Sequence, residues 1–283
     1  MNWLIEPLTY AFMQRGLAAS MLVGILCAVV GCYVVLRGMA FLGDAMAHAI
    51  LPGIAVAYLL NWNLLIGALG AAILVALGIG YFSKGERIKE DTAIGIFFAA
   101  SLSLGVALIS SIRTYAVDLS HILFGNLLGV STSDLWLTAG LTVLVLSAII
   151  LLFKPLLVVS FDPILAATLR MPTDLLRSVL LILLALTVVV SMQSVGVGLV
   201  AAMLVTPGAT AYLMTKRLSQ MMYVAAAIGA VSSIIGLYAS YYLNIASGAA
   251  IVLAATLIFL LVYFRYSAIG FFVRLKNAAV LPK

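Results

Sequence analysis

Nine apolar runs, at about 14–36, 42–60, 64–83, 92–112, 135–153, 175–193, 196–215, 219–243 and 247–266, follow one another along the chain and are joined by short polar connections. A helix rising 1.5 Å per residue needs about 20 residues to cross a hydrocarbon core of roughly 30 Å, so runs of this length read as membrane spans. Strands of a membrane barrel would alternate apolar and polar positions over about 10 residues. Stretches such as "LVALGIGYF" and "VLLILLALTVVV" are instead apolar all round. The expected fold class is therefore all-α, a polytopic membrane bundle of about nine (eight to nine) helices forming one transmembrane domain over residues 1–283.

Charge is scarce and unevenly placed. Only 8% of the residues are Asp, Glu, Lys or Arg, against 65% apolar, and the mean hydropathy is +1.27. With nine spans, Arg37, the "KGERIKED" loop, the 154–177 connection, Lys216-Arg217 and the tail beyond Phe264 fall on one side. That side carries 13 of the 15 basic residues, leaving Arg15 and Arg113 opposite. The positive-inside bias makes it cytoplasmic, with the N-terminus external and the C-terminus internal. The pI of about 9.4 thus reports topology and calls for no nucleic acid. The first basic residue is Arg15 and the run after it is long, so the first segment reads as a retained helix. Cys27 and Cys32, five positions apart, lie on different helix faces and read as packing residues.

Against this background "GDAMAHAILPG", residues 43–53, is exceptional. Asp44 and His48 stand at i and i+4, on one helix face and about 6 Å apart along the axis. A carboxylate oxygen and a neutral imidazole nitrogen can converge on one cation, a donor set suited to Mn²⁺, Fe²⁺ or Zn²⁺. Two ligands do not complete a site, so the chain must add residues or a second copy must supply a matching pair. The competing readings are Asp44 as a helix cap with His48 bonded to a carbonyl, or a proton relay. His121, three residues after Asp118 in the external stretch 113–134, is a candidate entry-side ligand, with structural satisfaction of the pair as its alternative. That stretch is expected to fold back as a short helix. Pro52 and Pro207 interrupt two spans and point to helices that bend or break beside a pathway.

The long connection contains "SFDPILAATLRMPTD". Ser160 or Asp162 can cap a helix opening at Pro163, and Met171-Pro172 can end it. A short amphipathic helix at about 160–171 is expected there, lying on lipid or docking a cytosolic partner. No G-x-x-x-x-G-K-[ST] occurs, so ATP is not bound by a P-loop, and H-E-x-x-H is missing.

Several blocks in order, "VVGCYVVLRGMAFLGDAMAHAILPGIAVAY", "DTAIGIFF", "HILFGNLLGV", "SFDPILAATLRMP" and "MLVTPGATAYL", together resemble the permease subunit of bacterial ABC importers for manganese, zinc or ferrous iron. The resemblance covers nearly the whole chain. It implies a type II importer-like permease in the inner membrane, a homodimer on two cytosolic ABC ATPase subunits, fed by an extracytoplasmic metal-binding protein. It implies no resident cofactor and no enzyme activity in this chain, the divalent metal being cargo. Asp44 and His48 match the family's pathway ligands. The 160–171 segment matches its coupling helix, with Phe161, Asp162, Pro163, Leu169 and Arg170 facing the ATPase. Gly208 departs from the commoner "TPAATA" and leaves the class intact. A stand-alone proton-coupled or channel-like carrier is the alternative, and manganese is the favoured ion.

Overall fold

Hydrocarbon offers no partner for backbone N–H and C=O groups, so helices that satisfy these groups internally are the form apolar runs take there. The computed structural model describes the backbone of residues 5–84, 88–111 and 127–280, with side chains throughout except at 128, 193, 194, 197, 198 and 267–280. Twelve α-helices are described: α1 (Ala11–Leu36), α2 (Leu42–Ala49), α3 (Leu51–Leu59), α4 (Leu64–Phe82), α5 (Glu90–Ser110), α6 (Thr132–Leu151), α7 (Phe153–Phe161), α8 (Pro163–Thr168), α9 (Thr173–Val195), α10 (Val197–Met214), α11 (Leu218–Leu243) and α12 (Ser247–Val280). No strand occurs among the described residues. Counting α2–α3 as one span, eight helices among the described residues are long and apolar enough to cross a membrane, and Leu199–Met214 is a shorter ninth.

That ninth segment is a return pass. Lys216 and Arg217, just after α10, line one cavity of about 470 Å³ with Phe161, Asp162 and Leu165, so the α10–α11 turn lies on the side where α9 begins. Ion pairs place other helix ends on the same side: Lys84 after α4 with Asp174 at the start of α9 (3.3 Å), and Arg37 after α1 with Glu90 at the start of α5 (2.8 Å). Basic residues thus gather at one end of the bundle, as the charge partition anticipates.

Helix α1 is the central post, packed against α6, α9, α10 and α11, while α2 and α3 pack on α5 and α4 on α9. Small residues let backbones approach, which is how helices in lipid gain packing without a hydrophobic drive. A Cβ on Gly31 would overlap the Leu204 carbonyl of α10, and Gly53 of α3 and Gly67 of α4 oppose each other in the same way. Cys27 Sγ sits 3.3 Å from Ser191 Oγ and Cys32 Sγ donates to the Ala28 carbonyl at 3.2 Å, both cysteines being buried and free. They are packing residues. Ser233 is likewise structural, its hydroxyl lying 2.9 Å from the carbonyls of both Ser20 and Gly229.

As Pro52 leads one to expect, the second span is broken into two helices that meet at Ile50, with Pro52 at the start of α3, where its missing N–H costs nothing. Two other details differ from expectation. Pro207 stays inside α10 without ending it. Its surroundings hold it, since the next residue, Gly208, packs close to the Gly31 carbonyl of α1. The last helix continues past residue 266 to Val280, because a helix leaving lipid has no reason to stop where charge begins.

Replacing Gly31 with Ala should force α1 and α10 apart and lower stability by about 1–3 kcal/mol. The check is thermal unfolding of the purified protein in detergent, with a Tm below that of the unsubstituted chain as the expected result.

Candidate functional site

The approach to the site is set by the end of α1. Gly38 adopts φ +68°, its N–H bonds the Val35 carbonyl at 3.1 Å and the Met39 N–H bonds that of Val34 at 3.0 Å. This Schellman pair ends α1 with the left-handed residue that glycine supplies at least cost, and turns the chain back toward the membrane. Helix α2 follows at once. Phe41 is its N-cap residue with no side-chain cap, and Asp44 lies inside the first turn, so Asp44 does not cap the helix. A carboxylate in that turn still faces the positive end of the helix dipole.

Within α2 every residue is buried except Asp44 and His48. The two side chains remain 42% and 26% exposed respectively, with Asp44 Oδ1 3.7 Å from His48 Nδ1. The pair thus points out of its own chain on a face that α5, α9 and α10 do not close. His48 Nδ1 lies 3.0 Å from the Asp44 backbone carbonyl. A carbonyl only accepts, so Nδ1 donates in this contact, and a neutral ring then keeps its Nε2 lone pair for a ligand. This is the arrangement that second-shell carbonyls impose on metal-bound imidazoles. Phe98 of α5 meets the His48 ring edge-on at 5.6 Å and packs on Phe41 at 5.2 Å.

Depth follows from the same contact. Phe98 is eight residues beyond Glu90, the first residue of α5, which places His48 about 12 Å inside the basic end of the bundle. A count along the sequence from Arg37 places the pair shallower, because it cannot see how α2 packs along α5. Among the described residues no three His, Cys, Asp or Glu side chains group to hold a metal ion. His121 and Asp118 lie outside the described residues. Met39, Met46, Met192 and Met203 are buried in the core.

The 160–171 segment divides into two pieces. Helix α7 continues from α6 through Lys154-Pro155 to Phe161, a helix the sequence reading leaves as loop because charge and proline begin there. Asp162 then caps α8, its carboxylate accepting the Leu165 N–H at 2.9 Å, with Pro163 at the first helical position. Helix α8 ends at Thr168, earlier than Met171-Pro172 suggests. Arg170 takes φ +54° while its N–H and that of Met171 bond the carbonyls of Ala167 and Ala166 at 2.9 and 3.0 Å, another Schellman stop. Phe161, Ile164, Leu165 and Leu169 are exposed around this short element, with only Ala166 of α8 buried. Such an apolar patch beside cations at a bundle end suits a protein partner.

Glu90 is the functional candidate that sequence reasoning passed over. Its carboxylate takes Arg37 Nη2 at 2.8 Å, Arg177 Nη2 at 2.8 Å and Arg177 Nε at 2.9 Å. Burial pushes the Arg37 guanidinium below its ordinary value, while the neighbouring carboxylate holds it up. The three residues are far apart in the chain and share no motif, so no sequence signal pairs them. Glu90→Gln should leave two guanidinium groups facing each other and cost roughly 3 kcal/mol. A lowered Tm in detergent, less marked at high salt, is the expected reading.

With this geometry in view, comparisons with known proteins are specific. The model of the ABC 3 transport family matches residues 9–266. The manganese transport system membrane protein MntC of Halalkalibacterium halodurans is 49% identical over 259 residues, covering 92% of this chain and 89% of that one. A probable iron transport system membrane protein of Haemophilus influenzae is 44% identical over 260 residues, covering 92% and 96%. The solved PsaBC from Streptococcus pneumoniae in complex with Fab superposes with a TM-score of 0.81 at 42% identity, covering 92% and 94%. An inward-facing putative metal-chelate type ABC transporter shares the fold alone, at TM-score 0.71 and 17% identity. Family model, relatives and solved fold agree over about nine-tenths of the chain, which belongs to the ABC 3 transport family as a membrane permease.

Proposed function

We propose that the chain imports manganese into the bacterial cell as one of two identical permease copies, driven by two separate cytosolic ABC ATPase subunits and supplied by an extracytoplasmic metal-binding protein. One observation carries the reading: an ionisable pair about 12 Å inside a membrane bundle is left open by its own chain. Such groups do not face lipid, so the open face belongs against a second copy or a water-filled path. Two copies related by a two-fold axis bring two carboxylates and two imidazoles together, four hard-to-borderline donors for a divalent ion. Relatives named for manganese at 49% and 46% identity support that cargo. Ferrous iron is the second reading, supported by the relatives named for iron at 44% and 41% identity. Zinc, which the donor set also accepts, has no such support among these relatives.

The basic end is assigned to the cytoplasm by the positive-inside bias. On that side α8, with Phe161, Asp162, Pro163, Leu169 and Arg170, is the coupling element. Its exposed apolar side chains enter the ATPase, and Asp162 and Arg170 serve by shaping the helix ends. ATP-driven closure of the two ATPases shifts these elements and opens the path alternately to each side. His121 remains an entry-side candidate. Transport powered by a partner explains both the missing P-loop and the exposed patch, which a proton-coupled carrier acting alone would not need.

Asp44→Asn or His48→Ala should abolish uptake of radioactive manganese in proteoliposomes holding the whole complex, while ATPase still copurifies. Full uptake by either variant would contradict the site. A separate substitution, Ile164→Asp on α8, should remove the ATPase from the purified complex by about tenfold or more, seen on a stained gel, since it drives charge into an apolar contact. Retention of the partner at the original ratio would refute the docking face. Competition by unlabelled Fe²⁺ and Zn²⁺ ranks the cargo ions.

A further inference from the structure

We infer that Glu90 is a positioning residue that links the ATPase-facing element α8 to the metal-site helix α2, by holding Arg177 and Arg37 on one carboxylate. The inference rests on the docking role of α8 proposed above. Three chain segments converge on this carboxylate. Arg177 is in the second turn of α9, which follows α8 after the Schellman stop and Pro172. That connection leaves little slack, so displacement of α8 moves the start of α9. Arg37 closes α1 seven residues before Asp44, across the turn that launches α2. Glu90 itself opens α5, the helix whose Phe98 rests edge-on against His48.

Geometry gives the junction two pairings. In the structure Arg177 presents two nitrogens to Glu90, through Nε to Oε1 and Nη2 to Oε2, and its Nη1 also donates to the Ser83 carbonyl at 3.3 Å. Arg37 holds Oε2 through Nη2 alone, and its Nη1 is buried with no hydrogen-bond partner among the described residues. Both side chains of the Arg37–Glu90 pair are only 11% exposed, so that idle donor is costly. If α9 withdraws Arg177, both carboxylate oxygens are free for Arg37 in the two-pronged pairing that guanidinium and carboxylate prefer. The loss of one fork is then offset by the gain of the other. An element with two discrete, comparably satisfied arrangements is what transmission between distant sites requires. Moving Arg177 changes the hold on Arg37 and on the first turn of α5, and both lead directly to the Asp44/His48 pair.

The test uses the permease with its ATPase copurified from native membranes, reconstituted in proteoliposomes with Mn²⁺ as the probe. Arg177→Met leaves the Arg37–Glu90 pair neutral and intact, so the chain keeps a balanced core. Its ATP hydrolysis should stay within about twofold of the unsubstituted complex while Mn²⁺ taken up per ATP falls about tenfold. Equilibrium Mn²⁺ binding should be unchanged, and Arg177→Lys should recover part of the lost uptake. Unaltered uptake per ATP in Arg177→Met would overturn the inference. A parallel fall of hydrolysis and uptake, with the stoichiometry kept, would overturn it equally by reducing Arg177 to a structural or docking role. Asp44→Asn in the same preparation reads the metal site, and the ATPase content of the unsubstituted complex reads docking, so failure of either is distinguished from failure of the relay.

Discussion

Lipid cannot solvate an ion or an unpaired peptide group, and this one constraint organises the molecule. It makes every long apolar run a helix and sends nearly all charge to the ends. Among the described residues, the acid and the imidazole carried along α2, Asp44 and His48, must then be covered by something other than hydrocarbon. Their own chain buries the rest of α2 and leaves them open. The requirement for a second copy or a wet path thus follows from solvation before any relative is considered.

The same constraint concentrates polar structure at the basic end. There the ends of α1, α4 and α10 and the starts of α5 and α9 are tied by short charged contacts and by the cavity beside Phe161 and Arg217. A bundle whose helices approach closely at small residues, such as Gly31 against the Leu204 backbone, gains definition from such ties. Glu90 is the most connected of them. In the proposed reading it joins the docking element α8 to the helix that carries Asp44 and His48, and a transporter driven from outside the membrane needs a connection of this kind.

Much of this was legible in the residues. Length and uniform apolarity give the spans, and the i, i+4 spacing of Asp44 and His48 gives a shared face, because both depend only on helix geometry. Asp162-Pro163 announces the start of α8 through local capping chemistry. Less visible were features that depend on tertiary packing. Pro207 reads as a bend or a break, and α10 runs through it without ending, its next residue packed close to the backbone of α1. Helix α7 was hidden because Lys154 and Pro155 look like a loop, although Pro155 sits in the first turn where it does no harm. The Arg37–Glu90–Arg177 cluster spans three distant segments and has no signature at all. The depth of Asp44 and His48 is open in the sequence for the same reason, since a count from Arg37 does not contain the path of α2 beside α5.

The claim that one ion is held by two copies of the chain is tested most directly by stoichiometry. Titrating the purified complex with Mn²⁺ and following free ion by electron paramagnetic resonance should give one bound ion per two permease chains, with binding lost in Asp44→Asn and in His48→Ala. One ion per chain, or binding that survives both substitutions, would contradict the account.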